Sequence, residues 1–103
     1  MQIQLVINGE KKTFSAPFLS GKLYKDFFEI QRKLQAVLTG DTSPKSMDVL
    51  VDFVCRAYGQ QFTIDQYWEG VPLNKVLSEI VRTMNEIGEM IMEDVEGVNE
   101  DTH

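Results

Sequence analysis

Ile3, Leu5 and Ile7 occupy every second position at the head of this chain, and the alternation stops at Asn8-Gly9. Period-two alternation marks a strand with one apolar face. An Asn-Gly pair supplies the positive φ angles of a tight hairpin turn. The segment from Gln2 to Ala16 is therefore a predicted β-hairpin, with Ile3 opposite Phe14 and Leu5 opposite Lys12. A lone hairpin is unstable in water, so its apolar face has to be covered by helices. That requirement sets the class as α+β: an N-terminal hairpin packed on a bundle of three main helices plus one short helix.

The helices follow from stripes and caps. Pro17 interrupts the return strand, and Ser20 is the predicted N-cap of a helix to about Leu38. Its stripe is Leu23, Phe27, Ile30, Leu34 and Val37, widened by Tyr24 and Phe28. Lys22–Asp26, Lys25–Glu29 and Glu29–Lys33 are i,i+4 pairs on its solvent side. Ser43 as N-cap with Pro44 at the first helical position starts a second helix, which ends near Tyr58-Gly59. Met47, Leu50, Val51, Val54 and Tyr58 form one stripe of it, while Val49 and Phe53 lie on the opposite side. A helix apolar on two sides is either central in the fold or lends its second side to a partner.

Thr63 followed by Gln66 fits a capping box and predicts a short helix ended by Gly70. Pro72 then opens the last helix, with the stripe Leu73, Leu77, Ile80, Met84, Ile87 and Ile91, flanked by Val76 and Val81. The pattern fades near Met92. Residues 1–92 are read as one domain and residues 93–103 as an acidic, flexible C-terminal tail.

Composition limits what such a chain can do. Its 103 residues suit one domain, and 43% apolar content is too hydrophobic for disorder. No apolar run nears the roughly 20 residues of a membrane-spanning helix, and Met1-Gln2-Ile3-Gln4 does not open a secretion signal. The single cysteine, Cys55, suits a reducing compartment, so the expected location is the cytoplasm. The net charge of −6 is concentrated at one end: after Arg82 come seven acidic residues and no Lys or Arg. Removing those seven leaves nine acidic against ten basic residues, so the chain up to Arg82 is nearly neutral. Lys11, Lys12, Lys22, Lys25, Arg32 and Lys33 interleave with Asp26 and Glu29, which speaks against a nucleic-acid patch.

The residues required for bond-making chemistry are scarce. The only histidine is His103, and Cys55 has no histidine near it in sequence. One Cys and one terminal His cannot make a tetrahedral zinc site, and no Gly-rich phosphate loop follows the strands. Asp48 and Asp52 share a helix face but read as a solvated edge rather than a general acid–base pair. Neither a catalytic residue nor a cofactor is expected. Phe62 and Tyr67 are assigned to the core. Val49, Phe53 and Trp68 are the candidate surface for a partner or for self-association, and Glu93, Asp94, Glu96, Glu100 and Asp101 are a candidate acidic docking tail.

Several stretches then take on a shared identity. Val6-Ile7-Asn8-Gly9-Glu10, Thr13-Phe14-Ser15-Ala16-Pro17-Phe18, Phe27-Phe28-Glu29-Ile30-Gln31-Arg32-Lys33-Leu34, Met47-Asp48-Val49-Leu50-Val51-Asp52-Phe53-Val54, Tyr58-Gly59-Gln60-Gln61-Phe62-Thr63 and Tyr67-Trp68-Glu69-Gly70-Val71-Pro72 occur in this order. Together, over about Ile3 to Ile91, they resemble the tail assembly chaperones of long-tailed phages and prophages of Gram-positive bacteria. The resemblance implies a non-catalytic protein that binds and solubilises the tape measure protein and helps recruit tail tube subunits. It also implies self-association, a place in the host cytoplasm, and absence from the mature virion. No nucleic acid or membrane enters that role. A structural tail-completion protein and a small host-directed regulator are the alternatives of the same size.

Overall fold

The computed structural model describes Met1–Asp101, with side chains through Val98. Strands β1 (Gln2–Ile7) and β2 (Glu10–Ser15) pair antiparallel around Asn8-Gly9, whose φ angles are 54° and 79°. The register puts Ile3 against Phe14 and Leu5 against Lys12, as the two-residue turn requires. Ile3 and Leu5 are buried and Phe14 packs beside them, while the rest of β2 faces solvent.

The cover over β1 is helix α3 (Ile64–Gly70). Gly70 lets the two backbones meet: a Cβ there would lie 2.7 Å from the Val6 carbonyl oxygen. Thr63 and Gln66 form the expected capping box, Gln66 N donating to Thr63 Oγ1 at 3.1 Å and Thr63 N to Gln66 Oε1 at 2.9 Å. Tyr67 is fully buried and donates its hydroxyl to the Val76 carbonyl at 2.7 Å, tying α3 to the next element.

Helix α2 (Pro44–Ala57) runs through the middle. Its cap is a small network: Ser46 N donates to Ser43 Oγ (3.3 Å), Ser46 Oγ to Asp41 Oδ2 (2.7 Å) and Ser43 N to Asp41 Oδ1 (3.0 Å). These bonds hold the Asp41 carboxyl below its ordinary pKa, the Ser46 hydroxyl most of all. Leu50, Val51 and Val54 are buried on one side and Phe53 equally on the other, at 0% exposure. Phe53 is thus core rather than part of an exposed second side. The helix is apolar on both sides because α1 (Lys22–Leu38) packs on it from one direction and α3 and the last helix from others.

Helix α1 buries Leu23, Phe27, Ile30 and Leu34; its N-cap is Gly21, one residue after the expected Ser20, whose Oγ accepts from Lys22 N at 3.3 Å. Its charges pair differently from the i,i+4 expectation. Asp26 accepts from Arg56 Nη1 of α2 at 2.7 Å, and Arg56 Nε also donates to Asp52 at 3.1 Å. The guanidinium lies over the Phe53 ring, 5.4 Å from its centroid. A planar fork can serve two carboxylates and an aromatic face together, which a lysine cannot do. Glu29 pairs with Arg32 at 3.9 Å instead of with a lysine.

Pro72 leads into a 3₁₀ turn, Leu73–Lys75, and only then into α4 (Val76–Asp101). The tighter turn shifts the helical phase, so Leu73 is 94% exposed and Leu77 is partly exposed, contrary to the stripe expected from Leu73 onward. Ile80, Thr83, Met84 and Ile87 are the buried face; the Thr83 hydroxyl donates to the Glu79 carbonyl at 2.9 Å. Arg82 pairs with Glu79 and donates to the Gln2 carbonyl at 2.5 Å, joining α4 to the first strand. The helix continues past Met92, where the stripe predicted its end, to Asp101. At about 39 Å for 26 residues, it accounts for much of the 54 Å long axis of the molecule.

Candidate functional site

The loop after β2 and the facing sides of α1 and α4 carry most of the large apolar side chains that remain exposed. Pro17 ends β2 and throws Phe18 into solvent at 89% exposure. On α1, Tyr24 and Phe28 form a row beside the buried stripe and stay about half exposed. Their rings meet edge to face at 5.7 Å, and Phe28 meets buried Phe27 the same way at 5.2 Å. On α4, Met90, Met92, Val95 and Val98 are exposed along its C-terminal half.

Between α1 and α4 lies a groove of about 710 Å³. Phe27 and Gly88 lie at its base, and a Cβ on Gly88 would sit 3.3 Å from the Phe27 ring, so glycine lets the helices close up there. Tyr24, Phe28, Met84 and Met92 line the walls, and Glu89, Glu93 and Glu96 stand along the α4 side. A smaller hollow of about 280 Å³ adjoins it, sharing Tyr24 and Ile91. A third, with Phe18, shares Leu19 and Met90 with the second. The three form one apolar tract along the molecule.

Of the residues singled out in the sequence, Glu93, Asp94 and Glu96 border this tract, while Val49, Phe53 and Trp68 fall elsewhere. Phe53 is buried. Trp68 is 37% exposed and donates its indole N–H to Asp48 at 2.8 Å. Val49 is 39% exposed and lines a shallow hollow with Ile30 and Ala36 of α1. Glu93, Asp94 and Glu96 are exposed on α4, whereas the side chains of Glu100 and Asp101 lie outside the described residues, as does His103. The tract itself was missed, although Tyr24 and Phe28 beside the α1 stripe and the closely spaced Met90 and Met92 signalled it.

Chemistry has little to work with in this arrangement. Asp48 and Asp52 each accept from a neighbouring side chain, Trp68 and Arg56 respectively. Cys55 is 1% exposed, and burial pushes its thiol up to about 11, far from a reactive thiolate. Burial likewise raises Tyr58 to about 12. Among the described residues no three His, Cys, Asp or Glu side chains are grouped to hold a metal ion, and no helix is long and apolar enough to cross a membrane.

A one-sided hairpin on four helices, presenting an apolar tract, defines a binding module. The chain belongs to the phage tail chaperone protein family, whose model matches residues 1–102. Its members are tail assembly chaperones and not enzymes. No curated protein and no solved structure matches the chain.

Proposed function

We propose that this chain binds the tape measure protein of a long-tailed phage or prophage of a Gram-positive host. It keeps that client soluble in the host cytoplasm, helps recruit tail tube subunits around it, and is left out of the finished virion. The observation that carries this reading is the apolar tract running from Phe18 along α1 and α4. Contiguous exposed apolar side chains rimmed by polar residues are the form interaction surfaces take, and the family places the interaction in tail assembly. Val49 and Trp68 offer a second, smaller contact for the tube protein or another copy, and the α4 carboxylates keep the complex soluble.

Co-expression with the tape measure protein tests the reading. The client is expected in the soluble fraction with the native chain and in the pellet with a Phe18→Ser, Tyr24→Ser, Met90→Ser variant. A client that is equally insoluble with the native chain overturns the proposal, as do peptides of this chain in purified virions.

A further inference from the structure

We propose that the α1–α4 groove takes a basic amphipathic helix, and that this is the form in which the client presents itself. The inference rests on the chaperone reading above and specifies its ligand. The first argument is shape. The groove is walled by two helices whose backbone groups are already bonded internally, so it offers side chains and no free strand edge. From Met84 to Glu96 it spans about 18 Å, roughly three turns of a guest helix. Met84 and Met92 give it an adaptable lining against the rigid rings of Tyr24, Phe27 and Phe28.

The second argument is charge. Glu89, Glu93 and Glu96 border the groove, and among the described residues none of them has an ion-pair partner. The last Lys or Arg in the sequence is Arg82, so α4 beyond it holds no such cation of its own to offer them. Gln31 Oε1, on the α1 side, is a buried acceptor with no donor among the described residues. Lysine or arginine on the polar face of a guest helix would meet the three exposed carboxylates, while its apolar face meets the rings and methionines. A second copy seated through its own α4 would set two acidic rims together, which like-charge repulsion disfavours.

Two synthetic helical peptides of about 20 residues test this. Both carry leucines at i, i+3, i+4 and i+7; one has lysines on its polar face and the other glutamates. By fluorescence anisotropy the lysine peptide should bind about ten-fold or more tighter at low salt, with the gap narrowing at high salt. Glu89→Gln, Glu93→Gln, Glu96→Gln should remove that preference while leaving the circular dichroism unchanged, since all three side chains are exposed. Phe28→Ser with Met92→Ser should remove binding of either peptide. Equal binding of the two peptides overturns the proposal, as does indifference to either variant. It is also overturned by a native dimer that Phe28→Ser, Met92→Ser dissociates and the lysine peptide cannot. Failure here with the client still solubilised leaves the chaperone role standing with a different ligand form. Lysine-peptide binding without solubilisation removes the chaperone role alone.

Discussion

The centre of the molecule and its α1–α4 edge are built from the same residue types and use them in opposite ways. Around α2, Phe53, Tyr58, Phe62 and Tyr67 are all at 0–1% exposure: Tyr58 and Phe62 meet ring to ring, Arg56 covers Phe53, and Tyr67 is bonded at its hydroxyl. Along the edge, Phe18, Tyr24 and Phe28 remain about half or more exposed. The difference is not hydrophobicity but whether a third element arrives to cover the ring. Helices α1, α3 and α4 close over α2 from several sides; among the described residues no third element packs over the α1–α4 groove. An aromatic left uncovered in this way contributes little to stability and is free to bind.

Substitutions on the two sides should separate these roles. Phe53→Ala should cost about 3–5 kcal/mol in urea unfolding, because it opens a cavity in a sealed core. The equivalent change at the edge, Phe28→Ala, should stay within about 1 kcal/mol. Similar losses at the two sites would erase the distinction.

Alkali should act next, and through the centre alone. Cys55 and Tyr58 hold their protons to about 11 and 12 in the folded chain, against ordinary values of 9.0 and 10.0. The native state therefore binds more protons than the unfolded state across that interval, so stability falls as pH rises from about 9 towards 12. The full contribution is present below pH 9. Unfolding midpoints measured from pH 8 to 11 should drop, and Cys55→Ala should flatten part of the slope.

Gly70→Val should cost about 1–3 kcal/mol by driving a side chain into the Val6 backbone and lifting α3 off the hairpin. Ser43→Ala should cost about 1 kcal/mol through the lost α2 cap, with the edge unaffected. Thermal melts resolve both, and peptide binding by the Ser43→Ala variant should match the native chain.

Much of the framework was legible because it is locally encoded. Asn8-Gly9 dictates the hairpin register, Ser43-Pro44 starts α2, and Thr63 with Gln66 starts α3. What escaped depends on contacts distant in sequence. Val49 and Phe53 look equivalent on a helical wheel, and only the packing around α2 buries Phe53 and leaves Val49 partly exposed. Asp26 finds Arg56 thirty positions away rather than a lysine four away. Leu73 fits the stripe perfectly well by count, but the 3₁₀ turn moves it out of phase. The edge tract was hidden for the same reason: Tyr24 and Phe28 look like a generous core stripe until the structure shows them half exposed.

The bond from Arg82 to the Gln2 carbonyl has a consequence for how the molecule comes into being. The hairpin leaves the ribosome before the elements that cover it, for its greasy side is sealed by Gly70 and Tyr67 and latched by Arg82. At ordinary elongation speeds those residues follow on the order of ten seconds later. Throughout that interval the nascent hairpin lacks the elements that cover it, so it reaches its native packing only after Arg82 has been made.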